Sequence, residues 1–346
     1  MSTRHLPRTP AWNRQPPQHA VFVPAPDELN AVICPRLKLE APLWKLDTGS
    51  SGLTGYYRAA ASSQNPALFI KVVEQARAAP LLAADPFARF ADDQGVAAAC
   101  LNSVYTKLIN EDLFALAYPY CEARFASTDT NDLARLGLAL SRLHQALAKA
   151  PFQASVQQNA SERHALIGDT LKRLDTLDTR TLPQTAIELL RHAPVRYPET
   201  GWQAQIIHGD LNYGNVLFPI QHLDPPVFLD FEDTVLAWHS PLVDIAFVIE
   251  RFILIHNQND ATAYAHAETL LRAYLSGFPT APPAIEKGCL GKMLQSLSAR
   301  ALGLLVAITL DNNTVTQYEW DKFQFLYTQT RKRKELISKI EGLLRR

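Results

Sequence analysis

The run Gln205-Ile206-Ile207-His208-Gly209-Asp210-Leu211-Asn212-Tyr213-Gly214-Asn215-Val216-Leu217-Phe218 decides the reading of this chain, together with Val227-Phe228-Leu229-Asp230-Phe231-Glu232-Asp233 beyond a Pro/Asp turn. Val216–Phe218 and Val227–Leu229 are short apolar runs joined by turn residues, which predicts an antiparallel hairpin. If Phe218 pairs with Val227, Asn215 stands opposite Asp230, and facing residues in such a ladder lie ~4.5–5.5 Å apart. Two oxygen ligands at that separation can share a divalent ion, and Mg²⁺ takes oxygen at ~2.0–2.1 Å. Asp210, earlier in the same loop, is then placed to face a metal-bound phosphate as a base. A one-residue slip would undo this register. The same residues also read as a glycine-rich turn whose Asp and Asn satisfy their own backbone, but a turn alone does not call for an apolar strand ending in Asp230.

The rest of the chain sets bounds on that reading. It has 346 residues, with 34 Lys+Arg against 34 Asp+Glu, and 47% of it is hydrophobic. Zero net charge excludes nucleic-acid binding driven by overall charge, and the apolar content excludes disorder over the whole chain. The length suits two domains, or one domain of two lobes, at ~100–200 residues each. No stretch is read as reaching the ~20 apolar residues of a membrane span, because Ile245–Ile255 is broken by Glu250 and Arg251. Cys34, Cys100, Cys121 and Cys289 are far apart and form no C-x-x-C pair, which predicts reduced thiols in a cytoplasmic protein and no structural zinc.

Residues 1–30 are rich in Pro and Arg and lack an apolar signal-peptide core, so they read as an extended tail. Strand-like runs follow at Leu43–Thr48, Tyr56–Ala60, Ala67–Val73, Val104–Ile109 and Leu113–Tyr120, with a helix at 84–98. Past Tyr120 the pattern turns helical. Leu133, Leu136, Leu140, Leu143 and Leu147 form one apolar helix face, with Asp129, Thr130 or Asn131 as its cap. Further helices are predicted at Ser240–Ile255, Ala261–Phe278, Ala284–Leu310 and Thr316–Leu344. The expected order is a tail (1–30), a β-rich nucleotide-binding lobe (31–121) and a helical lobe (122–346) holding the catalytic loop, the hairpin and the acceptor site.

His208-Gly209-Asp210 with Asn215, then Leu229-Asp230-Phe231-Glu232, resembles the aminoglycoside phosphotransferase/choline kinase family over roughly residues 35–310. The resemblance implies an α+β, bilobal, protein-kinase-like fold: an antiparallel N-lobe sheet with one helix, and a helical C-lobe containing the catalytic hairpin. It also implies Asp210 as the catalytic base, Asn215 and Asp230 as Mg²⁺ ligands, and ATP, with GTP as the alternative, as phosphoryl donor. His208 would be structural. Asp244 matches the aspartate that braces the catalytic loop, although an acid in a first helical turn is also favoured by the helix dipole.

By the same resemblance Lys71 grips the α- and β-phosphates. An edge-strand lysine that opposes aggregation would look the same in sequence. The family pattern wants a carboxylate on the next helix to hold this lysine, and among Asp85, Asp92 and Asp93 we take Asp85. Gly49, Gly52 and Gly55, with Ser50 and Ser51 between them, suggest a loop over the phosphates. Their G-x-x-G-x-x-G spacing is neither a Walker A loop nor the kinase glycine loop. Tyr118-Pro119-Tyr120-Cys121-Glu122 fits an adenine-binding hinge, with the donor N–H coming from Tyr120 or Cys121 because proline has none. His144 reads as a packed or capping residue.

Only thirteen residues separate Asp230 from Asp244, too few for a long activation segment, so a small-molecule hydroxyl suits the acceptor better than a protein. Residues 201–280 hold nine acids against two bases. Beyond Asp210, Asp230 and Asp244 the surplus includes Glu232, Asp233 and Glu250, and excess carboxylate gathers cations. A cationic acceptor such as an aminoglycoside, an amino sugar or a choline-like alcohol follows as a hypothesis, with Trp238 or Tyr213 stacking on it. Two alternatives remain at this point: an atypical protein Ser/Thr kinase and a nucleotide-binding module without turnover.

Overall fold

The computed structural model describes residues 20–40, 42–47, 52–174, 182–220, 224–280, 282–311 and 314–345. The backbone divides into two units. Among the described residues, one contains a sheet and comprises 20–127 with Gly214–Val235; the other is mainly helical and comprises Thr128–Tyr213 with Leu236 onwards.

The sheet unit starts inside the stretch expected to be an extended tail. β1 (Phe22–Pro24) pairs with β2 (Leu43–Leu46), and α1 (Asp27–Leu37) lies between them in sequence. Pro26 and Pro35 obscured this helix: Pro26 occupies the N-cap position, where proline costs no intrahelical hydrogen bond, whereas Pro35 lies inside the last turn and removes one, which shortens the helix's hydrogen-bonded run without ending it. Asp27 and Glu28 in the first turn suit the helix dipole. Leu29, Ile33 and Leu37 recur every fourth residue and are buried, each worth ~1.5–3 kcal/mol. They pack on Leu43, Tyr57, Leu68, Ile70 and Val72 of the sheet.

The remaining strands are β3 (Gly55–Ala59), β4 (Leu68–Glu74), β5 (Lys107–Leu108) and β6 (Leu113–Pro119), giving a sheet in the order β1-β2-β3-β4-β6-β5 with every pair antiparallel. α2 (Ala78–Asp93) sets Ala78 and Leu81 against Val73, Leu101 and Leu116. Among its described residues the unit thus has two α-helices, α1 and α2, rather than the single one expected. Residues 94–98 lie outside α2.

The hairpin of β9 (Val216–Pro219) and β10 (Val227–Phe228) groups with the sheet unit, not with the helical one as the sequence suggested. The cause is backbone pairing. β7 (Ala123–Phe125) is a strand absent from the sequence reading, and it pairs with β9. Phe228 exchanges hydrogen bonds with the chain at Ala97 and Ala99.

In the helical unit, Asp129 caps α3 (Thr130–Leu147) by accepting from the Asp132 N–H at 2.8 Å, and all five leucines of its predicted face are buried. α4 (Gln153–Arg173) and α5 (Gln184–His192) follow. β8 (Gln205–Ile206) pairs with β11 (Trp238–His239). The helix expected at Ser240–Ile255 is α6 (Leu242–Val248) continued by a π-helical turn, Ile249–Leu254. α7 (Asp260–Ser276), α8 (Cys289–Leu310), α9 (Gln317–Lys332) and α10 (Lys334–Glu341) complete the unit. By length and composition α8 could cross a membrane, which the sequence reading did not register; 67% of its most apolar window is buried in the unit. Ala299, Leu302 and Val306 of α8 pack with Ile187 of α5 and Trp320 of α9.

Candidate active site

In the helical unit, Asp210 lies on the loop that leaves β8. Asp244, in the first turn of α6, is fully buried and accepts from the His208 N–H and the Gly209 N–H, both at 2.9 Å, and meets His144 Nε2 at 3.1 Å. Gly209 sits at φ 88°, a conformation glycine adopts without strain. Burial pushes the Asp244 carboxyl up, but the hydrogen bond and charge of His144, the charge of His208 and the Gly209 N–H together hold it below its ordinary value. His144 Nδ1 meets the Tyr274 hydroxyl at 2.8 Å, so an α3–α7 contact backs the brace. His208 is buried, and its Nδ1 accepts from the Asp210 N–H at 3.4 Å. The Asp210 carboxylate is half-buried and takes a hydrogen bond from Asn212 Nδ2 at 2.9 Å.

In the sheet unit, Lys71 projects from β4 and its Nζ lies 3.5 Å from Asp230 Oδ2, with the side chains 16% and 33% exposed. The expected partner, Asp85, is engaged elsewhere. Its Oδ2 pairs with Arg89 Nε at 2.5 Å one helical turn on, and its Oδ1 accepts from the Leu101 N–H at 2.7 Å. Asp85 therefore fastens α2 to the following loop.

The hairpin register differs by one residue from the one expected. Phe228 pairs with Val216 and Val227 with Leu217, and the residue bonded to the Asn215 carbonyl is Leu229, through its N–H at 2.9 Å. The observed register places buried Phe228 beside buried Val216 and half-exposed Val227 beside half-exposed Leu217; the other register would have mixed them. Asp230 follows at φ 58°, a left-handed conformation that aspartate tolerates, and there the chain leaves the ladder. Asn215 is buried.

Glu232 and Asp233, considered for the acceptor, lie in the 3₁₀ turn Phe231–Leu236 that follows Asp230. Burial raises the Glu232 carboxyl, and Asp230 adds to the rise, while Lys71 and Arg77 oppose it. Glu232 thus belongs to the charge group around Lys71. Glu250, in the π turn, is only 2% exposed, 3.0 Å from Arg251 and 3.5 Å from the Ser298 hydroxyl. Burial pushes its carboxyl up. It is an interior residue. Tyr213 stacks on Phe252 at 4.3 Å and is not presented to a ligand. Trp238, half-exposed in β11, pairs with Ile206 just before the His208 loop.

At the hinge, the Tyr120 N–H donates to the Ala67 carbonyl at 3.0 Å, and its ring lies 4.3 Å from the Arg58 guanidinium. Its N–H is spent within the sheet, which narrows the expected donor to Cys121. Ser50 and Ser51 fall outside the described residues.

The sequence reading missed two features. Tyr56, Phe69 and Tyr118 form an aromatic row on three strands, with Tyr56 and Phe69 stacked at 5.8 Å. Phe69 shares the Lys71 face by strand alternation, which was legible; its cross-strand partners were not. In the helical unit, Lys322 of α9 interacts with Glu319 at 3.6 Å and feels the Asp210 charge. Burial first, then Arg251, lowers its ammonium pKa. Nothing local marks this residue.

Asp230 and Asn215 are hard oxygen donors, and the Asp230 carboxylate is partly open and held to Lys71 by a long contact. Among the described residues no cluster of three or more His, Cys, Asp or Glu could hold a metal alone. One carboxylate plus one amide suits Mg²⁺, which completes its shell with water and phosphate oxygens.

A family model described as the phosphotransferase enzyme family matches residues 50–280. A choline/ethanolamine kinase family protein from Mesorhizobium loti is similar in structure, with TM-score 0.51, 17% identity, and coverage of 92% of this chain and 98% of that one. Choline kinase LicA from Streptococcus pneumoniae has TM-score 0.52 at 13% identity, covering 82% and 92%. These likenesses show a shared protein-kinase-like fold. A comparison with curated proteins gave no match. With two thirds of its length matched by the family model, the chain belongs to the phosphotransferase enzyme family.

Proposed function

We propose that the enzyme moves the γ-phosphoryl group of ATP to a hydroxyl of a small molecule, with Mg²⁺ as cofactor. The observation that carries the nucleotide half of this reading is the Lys71–Asp230 pair, which joins a cation and an oxygen ligand 159 residues apart in sequence. Lys71 binds the donor's phosphates as a point charge, and the Cys121 N–H receives the base. Asp230 and Asn215 hold the metal. Magnesium, when bound, neutralises charge on the phosphoryl oxygens during transfer.

Asp210 accepts the proton of the acceptor hydroxyl as the oxygen attacks and releases it to water afterwards. Asn212 fixes the plane of this carboxylate, and the Asp244 brace fixes the loop that carries it. A small acceptor is supported by the segment from Asp230 to Asp244: it is taken up by the 3₁₀ turn, β11 and the start of α6.

A cationic acceptor loses most of its sequence support, because Glu232 and Asp233 group with the sheet unit and Glu250 is interior. Trp238 remains the candidate for stacking on such a ligand. The test is coupled ADP release with aminoglycosides, amino sugars, choline-like alcohols and neutral sugars. Mg²⁺-dependent ADP release with at least one of them, absent in Asp210→Asn, supports the reading. ATP binding with no turnover across the panel favours a module without turnover, and phosphate transfer only to added protein favours a protein kinase.

A further inference from the structure

The sheet unit contains a second lysine that the proposed chemistry leaves unused. Lys45, on β2, is only 6% exposed. A buried ammonium is unfavourable unless it donates hydrogen bonds. Its Nζ donates to the Gly52 carbonyl at 2.6 Å and lies 5.9 Å from the centre of the Tyr57 ring. Tyr57, fully buried on β3, donates its hydroxyl to the Leu53 carbonyl at 2.6 Å. Two consecutive carbonyls of the glycine-containing turn are therefore held from beneath by two buried side chains on neighbouring strands.

Gly55 fits the same arrangement. It sits at φ 148°, and a Cβ there would come within 3.3 Å of Lys45 Cε. The lysine stem passes over the glycine to reach Gly52, so Gly55 is required by the backbone conformation and by this close approach. The spacing that matches neither the Walker A loop nor the kinase glycine loop thus has a local cause at its last glycine.

We propose that Lys45 and Tyr57 are positioning residues that pre-set the Gly52–Thr54 backbone for the nucleotide. This rests on the nucleotide reading above. Pre-ordering a binding segment removes an entropic penalty from association, so the clamp acts on donor affinity and leaves the acceptor untouched.

The test uses the full chain with Lys45→Met, which keeps most of the stem and removes the ammonium, and Tyr57→Phe, which removes only the hydroxyl. Hydrogen–deuterium exchange over residues 52–58 is measured without ligand, and KM for ATP, KM for the acceptor and kcat are measured separately. The expected result for Lys45→Met is faster exchange in that segment and a KM for ATP raised about five- to twentyfold, with acceptor KM and kcat within about threefold. Tyr57→Phe shifts the same two readouts in the same direction by less, and decides the matter alone if Lys45→Met does not fold. Unchanged exchange, or faster exchange with unchanged KM for ATP, overturns the proposal. If wild-type protein fails to bind ATP, the nucleotide reading fails, while exchange still reports whether the clamp exists.

Discussion

Replacing Asp244 by Asn tests whether the catalytic loop is held by one buried carboxylate. The wild-type group receives two backbone N–H donors at 2.9 Å and His144 at 3.1 Å, with no solvent to replace them. Hydrogen bonds to a charged group are worth ~1.5–3 kcal/mol each. An asparagine with its oxygen at the Oδ2 position keeps the His208 and His144 contacts but turns an N–H toward the Gly209 N–H and removes the negative charge that all three donors face. The expected loss is about 3–5 kcal/mol at pH 7, in line with breaking a buried charged pair. The assay is urea unfolding followed by far-UV circular dichroism and by the fluorescence of Trp202 and Trp238, which lie in the same unit. The depressed carboxyl gives the effect a pH signature. Its contribution is complete above the unfolded value of ~3.9 and disappears as pH falls through the lower folded value. The gap between wild type and variant should therefore close in acid. A loss below about 1 kcal/mol at pH 7, or a gap that widens as pH falls below ~3.9, would refute the argument.

Asp210→Asn should lower turnover ~10²–10⁴-fold with ATP affinity nearly unchanged, measured by ADP release and by calorimetry; a rate above a tenth of wild type counts against Asp210 as the base. Gly137→Ala tests the α3–α7 packing. An added Cβ would run into the Leu270 carbonyl and come within 3.0 Å of the Tyr274 nitrogen and 3.1 Å of Ala273 Cβ. Because backbone atoms cannot rotate away, overpacking should destabilise by ~1–3 kcal/mol in thermal or urea unfolding, and an unchanged midpoint would show that the helices separate freely.

Much of this molecule was legible from local pattern. The leucines at 133, 136, 140, 143 and 147 set α3, and strand alternation placed Lys71 and Phe69 on one face of β4. What escaped depended on partners distant in sequence. The hairpin register follows from matching buried Phe228 to buried Val216, a fact about the surrounding core that the apolar run itself does not contain. Asp85 looked like a partner for Lys71 because of its position on the next helix, yet Arg89, one turn away, and the Leu101 N–H engage it first. α1 was hidden because proline was read as a breaker, although Pro26 stands at the N-cap, where a helix accepts it, and the helix carries Pro35 only in its last turn, two residues before its end, with Leu29, Ile33 and Leu37 buried. The surplus acids carried no address: Glu232 belongs beside Lys71, and Glu250 lies inside the helical unit.

The metal–nucleotide site is tested most directly by calorimetric titration of ATP with Mg²⁺ and with the metal chelated, in wild type and in Asp230→Asn. The account predicts that chelation weakens wild-type binding at least ~10-fold, or ~1.4 kcal/mol. Asp230→Asn should show no such difference, and metal-free ATP should bind it no worse, because Lys71 has lost its carboxylate. Equal wild-type affinity with and without Mg²⁺, or full metal dependence in Asp230→Asn, would contradict it.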